Sequence, residues 1–325
     1  MTSRRRIVCA VPALAATAFA GGAVAQANYP QRLVKIVVGN APGGNDDTIS
    51  RFIAEKLSKE FGQTVIVENR VGGSTSIAGA AVAAAPPDGH TILCLIGTGI
   101  VQTVLRDKPP YKLSSFAPIV GIGGFPLALA VSATATPRIT SIQDLVAVAR
   151  SSDGISFASG GIGTMAHLNA VRFLRAVDGK GVHVSYRNNP EGLNALVGGF
   201  TQMMLGSAQE VAALRGERKL RVLAVTSEQR LPTLPDVPTM RELGFPTINP
   251  TLWYGYVAPT GTPPAIVSRL ADAIIRAVRD PAFQNRYKAL SFVEDIRTGA
   301  ALTAFIDAEA ARWKEVIVEN KIQVE

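Results

Sequence analysis

The sequence predicts an α/β protein in which parallel-rich sheets are covered by helices and the chain forms two lobes. Short β-rich runs alternate with helical periods, which is typical of parallel strands connected by helices. The chain has 325 residues, of which 47% are hydrophobic and 18% charged. This composition excludes a largely disordered protein, and the length is sufficient for two domains.

The first element along the chain is a predicted signal peptide over residues 1–25. Three arginines at positions 4–6 precede an apolar run over 7–20 and the small residues 23–25, as in secreted proteins. A membrane anchor is the alternative, but the run consists largely of alanine and glycine and contains Pro12. The basic residues also resemble a twin-arginine signal, so the export route stays open. We expect a periplasmic protein.

Strands and helices follow in alternation. The clearest helix begins near Asp46 or Asp47 and ends at Gly62, a residue suited to a left-handed cap. Two further helices are predicted over 264–278 and 300–319. The predicted buried strands are 33–38, 65–67, 91–96, 155–158, 182–186, 203–205 and 222–226.

Two Gly- and Pro-containing stretches, 123–126 and 246–251, lead into apolar strands and are interpreted as loops that cross between lobes. They predict one lobe from 26–125 plus 250–325 and a second from 126–249. Cys94 is the only cysteine after the predicted signal peptide, so no internal disulfide can form in the exported chain. Its apolar neighbours predict a buried, inert thiol.

The formal net charge of +8 is spread without long basic runs, and aromatic residues make up 6% of the chain. This pattern suits a small anionic ligand and argues against nucleic-acid binding. We expect a monomer without a cofactor.

Two glycine loops that precede helices are the candidate binding sites, because ligands of parallel sheets bind beyond the carboxyl ends of the strands. The loop at 41–47 offers amide donors at a helix start, and its Asp46 and Asp47 either cap the helix or contact the ligand. The loop at 159–167 adds the hydroxyls of Ser159 and Thr164, with His167 in the first helical turn.

The second loop also matches the G-x-G-x-x-A dinucleotide pattern over 161–166. An exported NADP-dependent oxidoreductase is therefore an alternative, although a periplasm offers little soluble nicotinamide cofactor. A third glycine loop at 69–76 is explained by loop geometry alone. No nucleophile elbow, Walker motif or metal-binding motif occurs in the sequence, so we expect neither catalysis nor a metal site.

Several motifs in one order resemble the Bug family of periplasmic receptors, the substrate-binding components of tripartite tricarboxylate transporters. The resemblance covers essentially the whole chain after residue 28. Its motifs include Tyr29-Pro30, Ala41-Pro42-Gly43-Gly44, Val67-Glu68-Asn69-Arg70, Pro87-Asp88-Gly89-His90, Gly160 to His167, Leu234-Pro235-Asp236-Val237-Pro238 and Ala258-Pro259-Thr260-Gly261-Thr262-Pro263.

The resemblance implies a two-lobed protein that closes over a small carboxylate and delivers it to the membrane components of a transporter. A receptor that passes the bound form to a sensor protein is the signalling alternative. The ligand-binding residues implied by the family's loops are Pro42, Gly43, Gly44, Asp47, Thr98, Ser159, Gly163, Thr164 and His167.

Three departures from the family's usual pattern bear on the ligand. Asn45-Asp46 stands where Gly-Thr is usual, Arg187-Asn188-Asn189 replaces Lys-Gly-Ser, and Gly206-Ser207 replaces Asp-Ser. One acid is therefore gained and another lost in the expected cleft. A ligand with an amine, or an extended or aromatic acid, fits this pattern better than citrate.

Overall fold

A computed structural model describes residues 29–215, 219–246, 248 and 251–322. The predicted signal peptide at 1–25 lies outside these residues. The elements in chain order are β1 (Val34–Val38), α1 (Asn45–Phe61), β2 (Val65–Asn69), α2 (Ser76–Ala83), β3 (Thr91–Ile96), α3 (Gly97–Val101), a 3-10 turn (Leu113–Ser115), β4 (Phe116–Ser132), α4 (Ile142–Arg150), β5 (Ile155–Ser159), α5 (Met165–Ala176), β6 (Gly181–Ser185), α6 (Asn189–Gly198), β7 (Met203–Ser207), α7 (Ala208–Leu214), β8 (Leu220–Val225), β9 (Thr251–Pro259), α8 (Pro264–Val278), α9 (Pro281–Lys288), β10 (Val293–Arg297) and α10 (Gly299–Glu319).

The strands form one ten-stranded sheet in the order β2-β1-β3-β9-β4-β7-β5-β6, with β8 and β10 also paired to β4. The pairs β1–β2, β1–β3, β5–β6 and β5–β7 are parallel. The strands β9 and β4 run antiparallel to their neighbours. The predicted α/β class with parallel strands is confirmed, with an antiparallel centre that the sequence reading did not include.

The long strand β4 connects the two halves of the sheet. It pairs with β9 up to Pro126 and with β7 from Leu127 onward. We call β1, β2, β3, β9, β10 and β4 up to Pro126 the first half, and β5, β6, β7, β8 and the rest of β4 the second half. The division of the chain into two lobes at 125 and 250 stays a prediction.

The predicted loop at 123–126 is wrong, because these residues lie inside β4. Gly123 has a φ of +103°, and a Cβ on it would lie 2.0 Å from the carbonyl oxygen of Val293. A Cβ on Gly124 would lie 2.0 Å from the oxygen of Leu252. The glycines therefore permit neighbouring strands to approach closely rather than form a turn.

The helix α1 illustrates how local sequence determines an element. Ile49, Ile53 and Leu57 recur at helical spacing and are fully buried against the first half. The helix ends at Gly62, which is left-handed at φ 63° and donates its N–H to Ser58 O at 3.1 Å. The predicted cap is confirmed. Its predicted start near Asp46 falls within one residue of Asn45.

The described apolar core has two clusters on each half and a smaller one between the halves. The cluster between them includes Val101 at the end of α3, Leu105 after it, Met165 and Leu168 in α5, and Trp313 in α10. Because these helices follow strands of different halves, the cluster holds the two halves against each other. Cys94 is buried in β3, and burial raises the pKa of its thiol, as expected for an inert group.

The predicted strands agree with the structure to within about two residues at their ends, and α8 matches the predicted 264–278. The strand β10, the helix α9 and the first part of β4 were not predicted. No helix in the described part of the chain combines the length and the apolarity needed to cross a bilayer.

Candidate functional site

The loop after β1 is braced from inside by Asp47. Its carboxylate accepts the N–H of Gly43 at 2.9 Å, Nε of Arg51 at 3.0 Å and Nδ2 of Asn69 at 2.9 Å. Burial raises the pKa of Asp47, but these donors, led by Arg51, outweigh it and leave the pKa lowered. Asp47 thus holds the shape of the loop. Pro42 and Gly43 are exposed at the tip of the loop, and Gly44 is the N-cap of α1.

Asp46, the neighbour of this brace, is a buried carboxyl group with few partners. It is 3% exposed and accepts one side-chain hydrogen bond, from Nδ2 of Asn40 at 2.8 Å. Burial raises its pKa from 3.8 to about 6. Burial and the charge of Asp46 also raise the pKa of Glu210, at the start of α7 in the second half. The two acids therefore lie in one electrostatic environment, and neither forms an ion pair among the described residues.

The loop after β5 also satisfies its own polar groups. Ser159 Oγ donates to Gly161 O at 2.9 Å and lies 2.7 Å from Nε2 of His183. Thr164 is the N-cap of α5: its hydroxyl donates to Gly161 O at 2.8 Å and accepts from the N–H of His167. Both predicted hydroxyls are therefore engaged in holding the loop.

His167 accepts the N–H of Gly163 on Nδ1 at 3.2 Å, which leaves its proton on Nε2. Burial, and secondly the charge of His183, lower the pKa of His167 from 6.5 to about 3. The two imidazole rings lie 4.1 Å apart between centroids. His167 is consequently neutral at physiological pH and supplies no positive charge to a ligand.

The start of α5 retains two buried donors. The N–H groups of Met165 and Ala166 have no partner among the described residues, as expected for the first turn of a helix. Met165 is 4% and Ala166 1% exposed. The helix dipole directs its positive end to the same place, so this helix start can hold an anion.

The segment that faces this helix start is α3, from the first half. A Cβ on Gly97 would lie 2.9 Å from Sδ of Met165, and one on Gly163 would lie 2.5 Å from Leu105 and 3.4 Å from Nε2 of Gln102. Thr98 follows Gly97 directly, and its hydroxyl has no partner within the described ranges. The structure thus places predicted residue Thr98 near the predicted loop at 159–167.

Gln102 was missed by the sequence analysis. It is 1% exposed, and both of its side-chain polar atoms are buried without a partner in the described part of the chain. Such unsatisfied groups are costly and few in folded proteins. In the sequence, its role is indicated only by the occurrence of one amide side chain within the mainly apolar run from Ile100 to Leu105.

The two predicted loops have different neighbours. The third glycine loop approaches the loop at 159–167, since Ser74 Oγ lies 3.6 Å from the position of a Cβ on Gly161. The loop at 41–47 instead lies near Glu210, through Asp46. Two cavities, of about 210 Å³ and 250 Å³, are lined by other residues, except that Met165 borders the smaller one. No His, Cys, Asp and Glu cluster among the described residues has the grouping of a metal site.

Comparison with known proteins agrees with the fold. A family model described as tripartite tricarboxylate transporter family receptor matches residues 49–322. The protein named "UPF0065 protein in tcbD-tcbE intergenic region" from Pseudomonas sp. (strain P51) is 35% identical over 323 residues, which cover 98% of this chain and 95% of that protein.

Two solved structures are similar over nearly their whole length. The periplasmic binding protein BugD is 29% identical, with a TM-score of 0.79 over 91% of this chain and 100% of that one. MatC from Rhodopseudomonas palustris with bound malate is 27% identical, with a TM-score of 0.77 over 89% and 100%.

Proposed function

Because the chain belongs to the tripartite tricarboxylate transporter receptor family, we propose that it is a periplasmic solute-binding protein for a small carboxylate. Its similarity to the periplasmic binding protein BugD confirms the resemblance to Bug receptors. The observation that carries this proposal is the pair of buried, unpartnered N–H donors of Met165 and Ala166 at the start of α5. From the first half, the carboxamide of Gln102 approaches the loop that leads into this helix start, and Thr98 directly follows Gly97, which contacts Met165.

A carboxylate suits these groups better than a neutral ligand. A hydrogen bond from an N–H to a charged oxygen contributes roughly 1.5–3 kcal/mol, and the buried surroundings weaken the competition from water. Since His167 is neutral, the favourable potential comes from the dipole of α5 and from the neutral donors. The malate bound to the similar protein MatC supports an acid of this size.

Asp46 and Glu210 suggest a further property of the ligand. Two carboxyl groups from different halves share one environment without a cationic partner in the described part of the chain. An ammonium group on the ligand would neutralise them. We therefore place ligands that carry both a carboxylate and an amine first in any panel.

Binding in this arrangement requires the halves to move. Met165 packs on Gly97, and Leu105 packs on Gly163, so these contacts separate for a ligand to enter and form again around it. A ligand that contacts both halves stabilises the closed form. Membrane components of a tripartite transporter would recognise that form, with a sensor protein as the alternative partner.

The oxidoreductase alternative is disfavoured by the loop itself. The N–H of Gly160 is bonded to Asn189 Oδ1 at 2.9 Å and that of Gly163 to His167. These amides are therefore not free for a pyrophosphate. A fluorescence titration with NADPH that shows saturable binding would restore this alternative.

The experiment is a thermal-shift screen of carboxylates, followed by calorimetry on the Thr98→Val variant with the best ligand. A ligand above its dissociation constant raises the Tm. We expect Thr98→Val to weaken binding about tenfold, as for one hydrogen bond to a charged oxygen, with little change in Tm because the hydroxyl has no protein partner. Thr103→Val is the control, since that hydroxyl already donates to Ile100 O at 2.7 Å.

If no carboxylate raises the Tm, the proposed ligand class is wrong. If Thr103→Val weakens binding as much as Thr98→Val, the assignment of Thr98 to the site fails while the ligand class survives.

A further inference from the structure

The smaller cavity lies on the α10 face of the sheet and meets the proposed carboxylate site at Met165. It has a volume of about 210 Å³ and is bordered by β4, β9, β10, α10 and the first residue of α5. In β9, Trp253 faces α10 with Leu302 and Ile306, whereas Tyr254 faces α1 and α8. Trp253 lines the cavity, so the cavity is on the α10 side, away from Asp46.

A tryptophan in the cavity wall carries a buried indole N–H. Trp253 is 5% exposed, and its indole Nε1–H has no partner among the residues that the structure describes. This nitrogen is buried near β4, where a Cβ on Gly121 would lie 3.2 Å from it. Trp253 therefore contributes its ring surface, and not this donor, to the cavity.

Two arginines border the same cavity, and each already has an acidic partner. Arg297 donates Nε and Nη2 to Asp295 at 3.0 and 2.7 Å and lies 4.2 Å above the ring of Phe305. Arg312 Nη1 lies 2.7 Å from Glu309 Oε1. A guanidinium has five N–H donors, so both arginines retain donors for a further acceptor.

Aromatic rings complete the lining. Trp253 and Phe305 lie 5.1 Å apart between ring centroids, and Trp313 borders the cavity from α10. Flat rings with arginines at their edge favour a flat ligand with an anionic group. The volume is adequate, since a protein cavity of about 150 Å³ holds benzene.

We propose that this cavity is a second binding site, which takes a small acid with one aromatic ring. The ring packs beside Trp253 and Phe305, and the carboxylate accepts from Arg297 and Arg312. The site does not depend on the proposed carboxylate function of α5. It borders Met165, which packs on Gly97, so an occupant of the cavity would change how the two halves meet.

The chain provides its own reporter for this site. It has two tryptophans, and both line the cavity. Benzoate titrated into the full chain should give a saturable change in tryptophan emission at millimolar concentration. Benzyl alcohol, which has the ring without the charge, should bind more weakly by about tenfold.

Four variants locate the binding. Arg297→Gln and Arg312→Gln should each weaken benzoate binding about tenfold, with both tryptophans kept as reporters. Arg276→Gln is the control, because Arg276 is an exposed arginine paired with Glu60 in another part of the surface. Thr98→Val should leave the benzoate titration unchanged.

The proposal is overturned if benzoate gives no saturable change, if benzyl alcohol binds equally well, or if Arg297→Gln behaves like Arg276→Gln. It is also overturned if Thr98→Val weakens benzoate binding, since the ring acid then binds at the start of α5. That last result would leave the proposed carboxylate function standing.

Discussion

Replacing Asp46 with asparagine should stabilise the protein at neutral pH. The carboxyl group is 3% exposed, and burial raises its pKa from 3.8 to about 6. At about 1.4 kcal/mol per pKa unit, its ionisation at pH 7 costs the folded state roughly 3 kcal/mol. The introduced carboxamide would be neutral and could still accept the hydrogen bond from Asn40.

The sign of the pH dependence follows from the raised pKa. Below about pH 4 the carboxyl group is protonated in the folded and unfolded states, so it contributes no penalty there. The penalty grows as the pH rises from the unfolded pKa of 3.8 to the folded pKa of about 6 and is complete near neutrality. The gain from Asp46→Asn should therefore be absent in acid and reach its full size above about pH 7.

The assay is urea unfolding of the wild-type protein and Asp46→Asn at pH 4 and pH 7.5, with Tm measured in parallel. A gain of this size raises the Tm by several degrees, at about 2–4 °C per kcal/mol for large domains. Asp153→Asn is the control, because it removes the same charge from an exposed position. Equal or lower stability of Asp46→Asn at pH 7.5, or the same gain at both pH values, would refute the reasoning.

Three further substitutions test the loops that hold the site. Thr164→Ala should lower the free energy of unfolding by about 1 kcal/mol through loss of the cap of α5; an unchanged urea midpoint would contradict the capping role. Gly163→Ala combines a φ of +76° with a Cβ position 2.5 Å from Leu105, so we expect a Tm lower by several degrees and weaker carboxylate binding in calorimetry. Asp47→Asn should lose stability above about pH 4, and the loss should shrink as the pH falls through the lowered pKa of Asp47, because the group stabilises the fold only while it is ionised; a loss of the same size at pH 3 and pH 7 would show that charge is not the cause.

The elements that sequence reading predicted well are those whose signal is local. The stripe of Ile49, Ile53 and Leu57 and the cap at Gly62 depend on residues within one helix, and the helix at 264–278 begins with a proline. Such features can be recognised without knowing what lies across the sheet.

The misinterpretation of 123–126 has the opposite origin. Glycine and proline in succession normally indicate a loop, but Gly123 and Gly124 occur in β4 because Leu252 and Val293 approach their backbone. That approach depends on β9 and β10, which come much later in the chain. No local pattern contains this information.

The same limit applies to the candidate site. The sequence located the glycine loops at 41–47 and 159–167, but not which of their polar groups are already bonded. Ser159, Thr164 and Asp47 were selected as possible ligand contacts, and each is occupied by its own loop. Gln102 was overlooked because its lack of a partner becomes apparent only in three dimensions.

The glycine loops hold their own shape, whereas the start of α5 offers donors to a ligand. Asp47 takes the N–H of Gly43, and His167 takes that of Gly163, so both glycine turns keep their shape before any ligand arrives. A loop that is already ordered loses little entropy on binding. The donors of Met165 and Ala166 come from backbone in a rigid helix, so their direction does not depend on side-chain identity. Specificity among carboxylate ligands must then come from the side chains around these donors, above all Thr98, Gln102, Asp46 and Glu210.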